Sequence, residues 1–445
     1  MSSNALPGFR EFYPDDFAFR AHLFEAFRSV ARSYGFEEYD GPPLEPLDLY
    51  TAKSGEEIVG QLYHFVDKGD RAVALRPEMT PTLARMVAAR ANGLRKPIRW
   101  FSIPQLFRYE RQQRGRLREH FQLNCDLIGE AGPAGDAEII ALAIDIMRRL
   151  GLGSTEVRVR LSDRRVLNAI LDSLGFPAAS HGAAYQFLDK MGRGNDAALQ
   201  AVLRAAGATE EQVAGLASLR DIKTVDGLAR GFPAALEACG PLREIVDILG
   251  QMGLADFIDI DLTIVRGLAY YTGPVFELFD AARSLRAICG GGRYDNLLAA
   301  IGGVDLPALG FGMGDVVLGE LLRERGLAPA APAAIDLFVA GPDPADRPTV
   351  HRLTHQLRDA GWRAEFALTN QNLGKQFKQA DARGARIVLV VGEAERARGV
   401  VQVKDLVHGG QSEVAEGQLQ SVLESILGAC RPSSSSPVSG APSHG

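Results

Sequence analysis

Apolar residues recur at helical spacing over residues 17–34 and 137–150. They recur at the two-residue spacing of strands in IRWFSIPQLFRYE, FQLNCDLIG, IDLTIVRG and VFELFD. In FQLNCDLIG the alternation sorts Phe121, Leu123 and Cys125 to one face and Gln122, Asn124 and Asp126 to the other. Polar groups sharing one face of a central strand are satisfied by partners, solvated or functional, and the pattern alone leaves these open. Hairpin-length loops separate the strands. Over residues 1–325 this predicts an α+β unit, an antiparallel sheet with helices packed on one face. Between about residues 177 and 250 the strand signals stop, and an Ala-, Leu- and Asp-rich helical insertion is expected.

The stretch GLAPAAPAA, residues 326–334, carries no charge and two prolines and reads as a linker. Residues 335–428 then alternate. Strand-like IDLFVAG, RAEFALT, RIVLVVG and GVVQVKDL are interleaved with helical runs around 349–360, 373–383 and 418–427. This predicts a small α/β domain with a mostly parallel, covered sheet. From Pro432 onward, 11 of 14 residues are Ser, Pro or Gly, so residues 429–445 are expected to form a tail with too little apolar surface to order itself.

Composition narrows the class. A chain of 445 residues is long for a single domain, and its net charge of −6 argues against a protein that grips polyanions with its whole surface. A local basic face is still allowed. Cys125, Cys239, Cys289 and Cys430 lie far apart and form no CxxC pair, which fits reduced, intracellular thiols. The chain opens without a basic segment followed by an apolar one, and its longest apolar runs are strand-sized. The expectation is a cytoplasmic protein with no membrane partner.

The chemistry concentrates in a few places. From Arg108 to Arg118 five arginines face one glutamate, between two strand-like segments and with Gly115 at the apex. Guanidinium groups give bidentate grips on phosphate, but a solvated hairpin has the same composition. Gly290, Gly291 and Gly292 stand in a row between strand-like 287–289 and a helix expected over 296–300, and LGFGMGD forms a further glycine cluster. Neither fits a GxxxxGK[ST] loop or a GxGxxG finger in a βαβ unit, and there is no GxSxG elbow. His351 and His355 are four apart on a helix, without the HExxH glutamate, and read as a solvated face.

Together these segments resemble the histidyl-tRNA synthetases of class II along essentially all of residues 7–425. FRYE and the arginine loop look like the class's motif 2, and GPPLEP (residues 41–46) is similar to motif 1 at the dimer interface. RGLAYYTG and GGGRYD look like the two segments particular to the histidine enzymes. NLGKQFKQADARGA and VVQVKDL resemble their anticodon-binding domain.

The resemblance implies a homodimer that activates L-histidine with ATP and passes it to the 3′ end of tRNA(His). Mg²⁺ would arrive with the ATP, and no tightly bound, protein-ligated metal is implied. Arg108 and Arg266 would be the catalytic cations, and Arg108, Glu110 and Arg116 would hold ATP. Glu78, Met79, Thr80, Arg108, Gln122, Asp126, Arg266, Tyr270 and Tyr271 would form the histidine site. Arg111, Gln113, Lys375 and Lys378 would touch tRNA.

Two positions depart from the pattern. Val317 stands where motif 3 ordinarily has an arginine against the adenine ring, and Ala269 stands where an aspartate is common. The first change keeps a second implication in view, a catalytically silent, histidine-sensing regulatory subunit of ATP phosphoribosyltransferase. Against it stand the intact arginine loop and the complete C-terminal domain. There, seven Lys and Arg face three acids between Gly374 and Lys404.

Overall fold

The structure, a computed structural model, describes residues 5–51, 59–110, 115–191, 196–265, 270–282, 284–330 and 333–428. The chain divides into two compact units, Met1–Ala330 and Ala331–Gly445.

The first unit is built on one large sheet. Named by their first residues, its neighbouring strands run Glu37, Ile98, Glu119, Ala308, Cys289, Pro274, Val157, Ile258. The interior pairs are antiparallel; the two edge strands, Glu37–Glu38 and Ile258–Ile260, pair in parallel. Helix Pro14–Ser33 opens with a proline and two aspartates in its first turn, which suits the positive end of its dipole. It packs with helix Pro133–Arg149 against the sheet. Leu23 and Phe27, Ile140 and Ile144, and Leu123, Cys125 and Leu127 of the strand Glu119–Ile128 belong to one core. Burying that face of the strand leaves the Gln122, Asn124 and Asp126 face on the other side.

Three expectations about this sheet are corrected. IDLTIVRG does not run on as a strand: the edge strand ends at Ile260, and the Asp261 carboxylate accepts from the Thr263 backbone N–H and hydroxyl, which turns the chain. IRWFSIPQLFRYE is not one strand but two, Ile98–Ser102 and Gln105–Phe107, broken around Pro104, which cannot donate to a ladder. Both halves pair antiparallel with the same strand, Glu119–Ile128, at residues 124–128 and 119–121. The glycine triplet does not follow a strand; it is the middle of one, Cys289–Arg293. The reason is space. A Cβ on Gly291 would lie 2.3 Å from the Gly310 carbonyl oxygen, and one on Gly292 would lie 2.6 Å from that of Pro274. The helix that follows is Leu297–Gly302.

Between Asp163 and Ile258 the described residues contain helices and 3₁₀ turns but no strand. The helical stretch starts with Arg164–Ser173, where the Asp163 carboxylate accepts from the Arg165 backbone N–H.

In the second unit the strands order as Ala364, Leu337, Ile387, Val400, Gln411. The first three are parallel, but Val400–Asp405 and Gln411–Ala415 return antiparallel, so the sheet is mixed rather than mostly parallel. Leu337 and Val339 face one core, with Leu353, Leu357 and Leu423. Phe338 and Ala340 face another, with Ala380 and Val388. Helices therefore cover both faces of this sheet.

Among the described residues no helix is long and apolar enough to cross a membrane. Cys125, Cys239 and Cys289 are buried and not joined in disulfides, and Cys430 lies outside the described residues.

Candidate active site

The strand Glu119–Ile128 sets out a row of polar side chains: His120, Gln122, Asn124 and Asp126. Its neighbour Ala308–Gly314 places Gly310 opposite Asp126, Gly312 opposite Asn124 and Gly314 opposite Gln122. These glycines make room. A Cβ on Gly310 would stand 2.4 Å from Asp126 Oδ1, and one on Gly312 would stand 2.7 Å from Gln122 Cδ. The residues between them, Leu309, Phe311 and Met313, point into the core. GFGMG is thus strand alternation in which the second face is kept bare so that side chains from the next strand can lie across it.

Asp126 is 4% exposed and accepts a hydrogen bond from the Tyr294 hydroxyl. Burial pushes its carboxyl up to about 7, against the opposing pull of that hydrogen bond. Aromatic rings crowd this end. The Tyr270 ring centroid is 5.0 Å from that of Tyr271 and 5.8 Å from that of Tyr294. A carboxylate that is buried, near half-ionised at neutral pH and walled by tyrosines suits a small aromatic ligand carrying an N–H donor.

At the other end of the row lies the arginine hairpin. A cavity of about 190 Å³ is lined by Arg108, Glu110, Arg116, His120, Gln122 and, across from them, Val316 and Val317. Glu110, 7% exposed, is ion-paired with Arg116. Arg108 is oriented by its Nε, which donates to the Pro77 carbonyl at 2.9 Å, and this ties the hairpin to the LRPEMT segment. His120 is held neutral. Burial, and then the charges of Arg108 and Arg10, drive its pKa down to about 3. A larger cavity of about 960 Å³ also includes Arg108 and Arg116, with Arg160, Glu277 and Arg286 on its wall.

The remaining expected residues fall in several places. Glu78 is buried next to Pro77, and Thr80 begins helix Thr80–Arg90. Met79, at 1% exposure, packs among Gly41 and Arg76 and lines neither cavity. Lys375 and Lys378 are exposed, three residues apart on helix Leu373–Ala382. Arg111, Gln113, Arg266 and Ala269 lie outside the described residues.

Sequence reasoning passed over Tyr294 and His120. His120 carried a signal, since it falls in step with Gln122 and Asp126 on one strand face. Tyr294 carried only its place in GGGRYD. The arginine of that same segment, Arg293, is a structural residue. It is buried and donates to Asp136 Oδ2 at 2.7 Å and to the Glu130 carbonyl at 2.8 Å.

A family model described as histidyl-tRNA synthetase matches residues 8–314, and one described as anticodon binding domain matches residues 337–426. A histidine–tRNA ligase of Opitutus terrae is 44% identical over 429 residues, covering 95% of this chain and 98% of the relative. The chloroplastic/mitochondrial histidine–tRNA ligase of Arabidopsis thaliana is 39% identical, covering 94% and 86%. Among solved structures, histidyl-tRNA synthetase from a Nostoc species superposes with a TM-score of 0.83 at 26% identity, covering 96% of this chain and all of that one. A Bacillus halodurans protein described as an ATP phosphoribosyltransferase regulatory subunit/histidyl-tRNA synthetase shares the fold, with a TM-score of 0.74 at 20% identity.

Fold, site and these likenesses define a class II aminoacyl-tRNA synthetase. The chain belongs to the histidyl-tRNA synthetase family. Its activity is that of a histidine–tRNA ligase, which activates histidine with ATP and transfers it to the 3′ end of tRNA(His). A silent regulatory subunit is not favoured, because near-full-length relatives are ligases and the anticodon domain is matched as well.

Proposed function

We propose that the polar face of strand Glu119–Ile128 is the track on which the two substrates meet. The observation that carries this reading is the order of groups along it: Asp126 with Tyr294, then Gln122, then His120 beside Arg108. Histidine lies with its imidazole at Asp126, beside the Tyr270 and Tyr271 pair, and its carboxylate directed toward Arg108. Gln122 and Glu78, with Thr80, hold its α-amino group. A ligand lacking the ring N–H brings the buried Asp126 no donor beyond the Tyr294 hydroxyl, which is penalised.

ATP occupies the smaller cavity. Neutral His120 and Val317 provide flat and apolar walls for the base, Glu110 lies near its amino group, and Arg108 and Arg116 face the phosphates. The histidine carboxylate oxygen then attacks the α-phosphorus. The new O–P bond forms as the bond to pyrophosphate breaks, and the electron pair leaves on pyrophosphate. No covalent enzyme intermediate is required. Catalysis is positioning and charge stabilisation, for which the arginines Arg108 and Arg266 are the candidates.

Mg²⁺ fits the donor chemistry of this cleft. Among the carboxylates on the wall of the larger cavity, Glu277 is a hard oxygen ligand. Among the described residues no three His, Cys, Asp or Glu groups come together as a metal cage. A cation carried by phosphates, with one or two carboxylates, matches that set and would neutralise the departing pyrophosphate.

For tRNA, Arg111 and Gln113 of the hairpin meet the acceptor end, and Lys375 and Lys378 contact the anticodon region. The working form is a cytoplasmic homodimer. The test is charging of tRNA(His) with labelled histidine in the presence of ATP and Mg²⁺. The reading expects histidyl-tRNA from the wild type and a loss of roughly a hundredfold or more in kcat/KM for Arg108→Ala. Near-normal charging by that variant would remove Arg108 from the mechanism.

A further inference from the structure

Beside the tip of the arginine hairpin the cleft wall is apolar. Val316 and Val317, at the start of helix Asp315–Glu324, line the smaller cavity, and Val317 is 8% exposed. A side chain built on Gly115 would begin 3.3 Å from Val317 Cγ2 and 3.8 Å from Arg286 Cδ. Valine and arginine therefore flank one spot at the hairpin tip. Arg286 reaches it from the loop that leads into strand Cys289–Arg293, and its neighbour Ala287 lines both cavities.

A triphosphate bound there needs more positive charge than the hairpin offers. Arg116 is already paired with Glu110. Arg160, deeper on the larger wall, is 3.4 Å from Asp261 and lies over the Phe279 ring at 4.8 Å. Arg286 also has interactions within the fold, so what distinguishes it is position. It is exposed, it lies where the two cavities adjoin, and it stands next to a wall that carries no charge. Guanidinium is suited to the task, since it grips two phosphate oxygens at once and keeps its charge at any working pH.

We propose that Arg286 binds the terminal phosphates of ATP, supplying from the strand-entry loop the cation that the valine wall beside Gly115 lacks. This rests on the reading of the smaller cavity as the ATP site. In the ground state Arg286 contributes affinity for ATP. As pyrophosphate leaves, it stabilises the charge that accumulates on the β- and γ-phosphates.

The test is histidine-dependent ATP–pyrophosphate exchange by the full chain with Arg286→Ala, Arg286→Gln and Arg286→Lys. It is accompanied by calorimetric binding of ATP and of AMP with Mg²⁺. The alanine and glutamine variants are expected to raise the KM for ATP about 10- to 100-fold, with the KM for histidine and the affinity for AMP unchanged. Lysine should recover part of the loss. An unchanged KM for ATP overturns the proposal, and so does an equal loss of AMP binding, because AMP lacks the phosphates concerned. Arg108→Ala run beside them separates the two ideas. If it too leaves ATP binding intact, the ATP site itself is misplaced; if only Arg286 is silent, the phosphate contact alone is wrong.

Discussion

The Tyr294 hydroxyl donates to Asp126 Oδ1 across 168 residues of sequence, at the buried end of the polar strand face. The carboxyl is buried, and burial raises its pKa to about 7. In the proposed site this pair selects for an imidazole.

A pH dependence follows from that pair. Between the ordinary carboxyl value near 3.8 and about 7, the unfolded chain carries Asp126 ionised while the folded chain holds it protonated. Its contribution to stability is therefore greatest at low pH and is lost as pH rises toward 7, by up to about 1.4 kcal/mol per unit. Asp126→Asn removes the titration. Melting of the unliganded variant should gain on the wild type between pH 5 and pH 8. A melting difference that does not change with pH would show that Asp126 titrates normally.

Gly310→Ala and Gly312→Ala should act on the histidine site through space. Their new methyl groups would stand 2.4 Å from Asp126 Oδ1 and 2.7 Å from Gln122 Cδ. Either the strand shifts, at about 1–3 kcal/mol, or the polar side chain swings away. The histidine KM should rise in both variants, more than the KM for ATP in the case of Gly310→Ala. Steady-state exchange kinetics check this, and a variant with normal histidine KM would mean the side chains need no bare lane.

Arg293 and Asp136 form an ion pair with side-chain exposures of 3% and 5%. Arg293→Met strands Asp136 in a dry environment and should cost about 3–5 kcal/mol; Asp136→Ala should cost less, since Arg293 keeps Asp295 at 3.2 Å. Denaturant unfolding measures it. The double variant should be less damaged than the sum of the two, since neither charge is then left alone.

Several of these relationships could be read from the chain and several could not. Gln122, Asn124 and Asp126 against Leu123 and Cys125 is a two-residue period, and the structure keeps it. The strand running through Ile103 and Pro104 was over-extended because apolar content hides a break that only proline marks. The glycine triplet marks a close backbone approach, but glycine alone does not say which strand makes it. That depends on Gly310 and Pro274, which are remote in sequence. The antiparallel pairing of Gln411–Ala415 with Val400–Asp405 has a local sign in Gly409–Gly410, a hairpin signal; that of Val400–Asp405 with Ile387–Val390 has none. Tyr294 on Asp126 and Arg293 on Asp136 had none, because a hydrogen bond spanning more than 150 residues leaves no periodicity.

Lys375 and Lys378 sit on a unit separate from the cleft. Replacing both with Ala should weaken tRNA(His) binding and lower the slope of log affinity against log salt by up to about two. Pyrophosphate exchange should be unaffected. An unchanged salt slope would place the tRNA contact elsewhere.

The central claim is that Asp126 reads the imidazole while the arginine hairpin holds ATP. It is tested most directly by ATP–pyrophosphate exchange, with each amino acid in turn, for the wild type and Asp126→Ala. Exchange by the wild type is expected with histidine alone. For Asp126→Ala a fall of about a hundredfold or more in kcat/KM for histidine is expected, with the KM for ATP preserved. Efficient histidine-dependent exchange by Asp126→Ala, or wild-type exchange with an amino acid lacking a ring N–H, would contradict the claim.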